Sequence, residues 1–119
     1  AFAQPAFTDY DAGSIAAAAT SVISTRGNLV HDVTVASNAA AFTWAGTGTD
    51  PNKTAADLEW STDGSTWTGL TTTATDVATA LGRGQNANAA TVSYRMLLDE
   101  ANDIPGTYSL NFTYTVVAN

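Results

Sequence analysis

The sequence predicts an all-β fold, an antiparallel β-sandwich of about seven to nine short strands. Three observations lead there. Apolar residues recur at every second position in several stretches, turn residues punctuate the chain roughly every ten residues, and Thr, Ser and Ala fill the positions between. Period two is the signature of a strand, whose successive side chains leave on opposite faces. Thr is β-branched and suits a pleated, half-exposed surface. Short strands evenly spaced by turns are the pattern of a sandwich.

Taken in chain order, residues 1–20 lie outside the clearest pattern, and residues 21–119 form one domain. Within the first segment "SIAAAATSV" holds four consecutive Ala, which favour a helix intrinsically. The stretch is short and runs into Val22-Ile23-Ser24-Thr25, so extended structure or a connecting loop is expected there. A turn at Arg26-Gly27-Asn28 separates Val22 and Ile23 from a strand in which Leu29, Val33 and Val35 alternate with Val30, Asp32 and Thr34. "AAFTWAG" places Phe42 and Trp44 on one face, and "GTGTDPNKTAA" is a polar loop. "DLEWSTDGSTWTGL" reads as a hairpin turning at Asp63-Gly64, with Leu58 and Trp60 on one face and Trp67 opening the return strand.

"TTTATDVATALG" is a Thr-rich, edge-like stretch anchored by Val77 and Leu81, and "GRGQNANAA" reads as a loop. "TVSYRMLLDE" alternates cleanly through Val92, Tyr94, Met96 and Leu98. After the Ile104-Pro105-Gly106 turn, Tyr108, Leu110, Phe112, Tyr114, Val116 and Ala118 alternate with mostly polar residues. The expected hairpin partner of this closing strand is the "TVSYRMLLDE" strand.

Composition narrows the function. The chain carries a net charge of −7 with four basic residues in 119, Arg26, Lys53, Arg83 and Arg95, too few and too scattered to neutralise a run of phosphates. Nucleic acid and anionic membrane surfaces are therefore disfavoured as partners. With no Cys, a disulfide framework, a thiolate metal site and a Cys nucleophile are excluded. The lack of Cys also removes one common way of stabilising a small extracellular all-β domain, which favours another device such as strand exchange or close packing with neighbours. No stretch is long and apolar enough to span a bilayer. Ala1-Phe2-Ala3 matches the small-x-small pattern of a secretory cleavage site, so export by a cleaved signal peptide is expected.

Catalytic chemistry finds little footing. His31, the only histidine, stands beside Asp32, and strand neighbours point to opposite faces. A strand histidine is the expectation, and no G-x-S-x-G elbow accompanies it. The carboxylates Asp9 and Asp11, or Asp99, Glu100 and Asp103, offer oxygens of the kind Ca²⁺ takes, but neither group fits an EF-hand loop, and solvated turns are expected. No catalytic residue, metal or cofactor is assigned. Trp44 and Trp60 fit core positions, whereas Trp67 is a candidate ligand-facing aromatic on which a sugar could stack. Asn52 and Asn111 match the N-glycosylation acceptor pattern.

The order of "ATSVISTRGNLVHDVTVASN", "ADLEWSTDGSTWTGLTTT" and "VSYRMLLDEANDIPGTYSLNFTYTVVA" resembles secreted bacterial Ig-like β-sandwich surface-protein domains, similar in style to spore-coat-U and fimbrial-type subunits. The resemblance covers roughly residues 20 to 118 and implies export, a cell-surface or extracellular place, and a structural or adhesive role. Fimbrial relatives usually carry a pair of Cys, which this chain lacks.

These readings together predict a non-enzymatic subunit of an extracellular, pilus-like homopolymer. Its N-terminal segment would donate a strand to a neighbouring copy, with Phe2, Phe7, Tyr10 and Ile15 as anchors. The alternative is a monomeric cell-surface carbohydrate-binding or adhesive module, with a glycan as partner.

Overall fold

The structure, a computed structural model, describes residues 1–119, save the side chains of residues 85–88. Its longest strand, β8 (Gly84–Leu97), organises the first sheet. Two shorter strands, β1 (Ser14–Ala16) and β2 (Ser21–Gly27), pair with successive parts of β8, from Ser14 opposite Leu97 to Gly27 opposite Gly84. On its other side β8 pairs with β5 (Leu58–Ser61), which pairs in turn with β6 (Thr68–Gly69). The second sheet has the order β10 (Phe112–Ala118), β3 (His31–Ser37), β7 (Thr75–Leu81). A small ribbon joins β4 (Thr43–Ala45) to β9 (Thr107–Ser109), and every pairing is antiparallel.

The result is the all-β sandwich that the alternation predicts. It has ten strands rather than seven to nine, because β1, β4, β6 and β9 are pieces of two or three residues. Alternation also decides what lies between the sheets. Along β3 the even spacing buries His31, Val33, Val35 and Ser37 while Asp32, Thr34 and Ala36 are half-buried. Val35 joins Phe42, Leu58, Trp60, Leu70, Val92 and Tyr94 in one apolar cluster. Burial of such side chains is the main stabilising term in a domain of this size.

The expected partner of the closing strand was the wrong one. β10 pairs in full register with β3, from Phe112 opposite Ser37 to Ala118 opposite His31. It lies in the sheet opposite β8. Packing across the core accounts for this, since Tyr94, the one aromatic residue of β8, meets Phe112 and Tyr114 of β10. Tyr94 and Phe112 have ring centroids 5.5 Å apart. Cross-sheet packing and in-sheet pairing leave the same period-two trace, so the pattern alone does not separate them.

Polar contacts tie the two sheets as well. The Tyr94 hydroxyl donates to Ser21 Oγ at 2.7 Å and also meets the Tyr114 hydroxyl. Since Tyr94 spends its proton on Ser21, Tyr114 is the donor to Tyr94. Burial, followed by this bond to Tyr94, pushes the Tyr114 phenol well above its usual range. Replacing Tyr94 with Phe removes the middle of the chain and leaves Tyr114 without its acceptor. The expected loss is about 1–2 kcal/mol in denaturant unfolding. A neutral result would mean that the relay is not formed in solution.

Three further features depart from the sequence reading. The stretch "GRGQNANAA" is not a loop from Gly84 onward, because β8 begins there and its backbone is held by the ladder to β2. The closing alternation is interrupted at Leu110-Asn111 and makes two strands, β9 and β10. A helix, α1 (Phe7–Ala12), precedes β1. Asp9 accepts the Ala6 N–H at 2.7 Å, and Gly13 closes the helix in the left-handed conformation. The poly-Ala stretch is not helical, as expected, and begins as β1.

Tyr108 on β9 donates to the Ile104 carbonyl at 2.6 Å, four residues upstream. That contact has the form of the tyrosine corner of Greek-key sandwiches. Nearby, Gly106 leaves room for Trp44, whose Nε1 would lie 2.2 Å from a Cβ at that position.

Candidate interaction site

The two ends of the long strand β8 differ in character. At the Gly84 end, the turn between β2 and β3 and the end of β10 enclose a shallow groove of about 310 Å³. Its walls include Leu29, Val116 and Ala118, with Arg26 and His31 beside them. Leu29 and Val116 are both 55% exposed. Around them Val30 and Val117 on the same end, and Val22 further along β2, are exposed too. Single exposed apolar residues are ordinary, but several together at one end form a patch that invites contact.

β10 is also an edge. It pairs only with β3 among the described residues. Its sequence, "FTYTVVA", has no Pro and no charge, the usual guards of a free edge. By comparison β7, at the other edge, has an Asp at position 76 and two register shifts against β3.

His31 braces this end. The residue is 3% exposed, with Nδ1 3.0 Å from the Leu29 carbonyl and Nε2 2.8 Å from Thr25 Oγ1. A carbonyl only accepts, so Nδ1 carries the proton, and in the neutral ring Nε2 accepts from Thr25. The hydroxyl, imidazole and carbonyl have the connectivity of an activated nucleophile. Thr25, however, is 8% exposed and does not line the groove, so the hydroxyl faces no substrate space. The arrangement fixes the β2–β3 turn.

The predicted anchors are distributed as follows. Ile15 lies in β1, opposite Met96 of its own sheet. Phe2 packs against the apolar cluster of its own chain, and Tyr10 is half-buried on α1. Phe7 stands apart at 89% exposed, the largest exposure among the big apolar side chains described. It sits at the Leu97 end of β8, because α1 leads directly into β1.

Trp67 is half-buried, and the Arg95 guanidinium lies 4.6 Å from the centre of its ring while bonding Glu59 at 2.7 Å. The ring face that a sugar would use is thus shared with a cation. Trp60 is in the core as expected, whereas Trp44 is only half-buried. Asn52 and Asn111 are both exposed. Asn52 has positive φ and donates its backbone N–H to Asp50 Oδ1 at 2.8 Å.

The carboxylates form turns and ion pairs. Among the described residues no three His, Asp or Glu side chains converge as metal ligands. Asp99 caps its own turn by accepting from Asn102 and Ala101, bonds that hold it below the usual carboxylate range. Asp103 instead receives the buried Lys53 ammonium, whose Nζ lies 2.9 and 2.8 Å from its two oxygens and 2.8 Å from the Leu97 carbonyl.

In the β5–β6 hairpin, the backbone N–H groups of Thr66 and Ser65 donate to Asp63 Oδ1, and Ser61 adds its hydroxyl. These bonds lower the Asp63 pKa from 3.8 to about 2. The folded carboxyl is the stronger acid, so its contribution is complete above the unfolded pKa near 4. It is lost as pH falls toward 2. NMR should find an Asp63 midpoint near 2, with Ser65 and Thr66 amide exchange accelerating between pH 4 and 2. A midpoint near 4 would mean that the turn is open in solution.

No helix among the described residues is long and apolar enough to cross a membrane. Comparison with protein-family models, with curated proteins and with solved structures finds no match for this chain.

Proposed function

We propose that this protein is a non-enzymatic structural subunit of an extracellular, pilus-like homopolymer, joined by β-augmentation between neighbouring copies. One observation supports this reading above the others. β10 offers an uncharged, Pro-free edge beside exposed Val116 and Val117, the kind of edge that a strand from another chain extends. The N-terminal segment is the donor: the residues ahead of α1 supply the strand, and Phe7, which opens α1, is the free anchor, since Ile15 and Phe2 engage their own chain. Absence of Cys fits a sandwich stabilised by its neighbours rather than by disulfides. The alternative, a carbohydrate-binding module, needs an open aromatic platform, and Arg95 shares the face of Trp67.

Negative-stain electron microscopy tests the reading, with the full chain beside a version lacking residues 1–12, which keeps β1 and Gly13. The expected result is filaments from the full chain and none from the shortened one, with circular dichroism unchanged in its β signature. Monodisperse monomers from the full chain across a wide concentration range would overturn it.

A further inference from the structure

We infer that the contact between copies is pole to pole, with Phe7 of one copy seated in the Leu29–Val116–Ala118 groove of the next and held by opposite charge. This rests on the filament reading above and names its interface. Three observations carry it.

The two surfaces lie at opposite ends of the molecule. β8 has 14 residues, which at about 3.3 Å each gives a strand of about 45 Å. The molecule is 51 Å long. Its Leu97 end adjoins β1 and α1, and its Gly84 end adjoins Gly27 and the groove. A contact between two different poles cannot close on itself in a straight stack, so it propagates.

Apolar surfaces are complementary. Phe7, 89% exposed, is a projecting ring, and the groove at the other pole is a concave apolar surface of about 310 Å³.

Charge is polarised in the same sense. Of the four cations, Lys53 and Arg95 are ion-paired. Arg26 and Arg83 form no ion pair among the described residues, and both lie at the groove pole. The helix pole carries Asp9 and Asp11 on α1, with Asp99 and Glu100 beside it, since the Leu98 N–H bonds the Gly13 carbonyl at 3.0 Å. Asp32 is the acid near the groove, and its Oδ1 already accepts from Ala80 and Asn119. Opposed poles of this kind select head-to-tail encounter and suppress head-to-head.

The test uses two charge-reversed proteins. Arg26→Glu with Arg83→Glu makes both poles acidic, and Asp11→Lys with Glu100→Lys, joined by Asp9→Asn and Asp99→Asn so that the caps keep an acceptor oxygen, makes both basic. Each alone should fail to assemble while keeping a folded, monomeric state by circular dichroism and light scattering. Mixed one to one, they should form filaments with alternating copies. A second readout exploits the absence of native Cys. Wild-type background carrying Phe7→Cys and Val116→Cys should give a disulfide ladder under oxidation, and either single variant no more than a dimer. If each charge variant assembles alone as the wild type does, and no ladder forms, the pole-to-pole contact is wrong while the filament stands. If wild type never forms filaments, both readings fall.

Discussion

Replacing Lys53 with Met is expected to lower unfolding stability by about 3–5 kcal/mol. The ammonium is buried, with its side chain 4% exposed, and bonds Asp103 at 2.8 Å while Asp57 lies at 3.4 Å. Asp103 is itself 11% exposed, so removing Lys53 strands a carboxylate away from water. Leu97 loses the donor to its carbonyl at the same time. The combined variant Lys53→Met with Asp103→Leu should recover a large part of the loss, because no unpaired charge then remains. Guanidinium unfolding of the three proteins measures both effects. A single-variant loss below about 1 kcal/mol would mean that the cluster is solvated.

Trp60→Ala comes next, with an expected loss of about 3–5 kcal/mol from the cavity it opens in the apolar cluster. Trp60 is 7% exposed and pairs opposite Tyr94 and Thr68, at the centre of the first sheet. The informative comparison is Trp60→Phe. Nε1 of Trp60 is buried with no partner among the described residues, so the indole nitrogen contributes no bond that Phe would forfeit. Trp60→Phe should therefore cost less than half of what Trp60→Ala does. Equal losses would mean that Nε1 holds a hydrogen bond in solution.

How much of this was legible beforehand depends on the range of the interaction. Strands β3, β5 and β10 follow from local alternation, and the β5–β6 hairpin follows from Asp63-Gly64. Which strands pair is a different matter. Tyr94 and Tyr114 read alike as inward residues, and whether they sit in one sheet or face each other across two is decided by the whole chain. The Gly- and Asn-rich start of β8 carries turn residues, yet β2 supplies the ladder that makes it a strand, so local chemistry pointed the other way. α1 carries a local signal, an Asp three residues past Ala6 and a Gly at its end. The Lys53–Asp103 pair spans 50 residues and leaves no trace in either neighbourhood. Among the candidate anchors, the sequence marks Phe2, Phe7, Tyr10 and Ile15 as apolar without distinguishing them. Only their packing sets Phe7 apart.

The length of β8 has a mechanical consequence. Tension applied between the two ends of the molecule enters near β1, at Leu97, and leaves near β2, at Gly27. The ladders on β8 lie along that direction, so a pull loads them in shear. Hydrogen bonds in shear must yield together, whereas a pull across the strands would open them one at a time, as a zipper does. The same sandwich is thus stiff along its 51 Å axis and compliant across it. Resistance to axial force is spread along one long backbone, laddered to β2 along most of its length and to β1 and β5 at its Leu97 end.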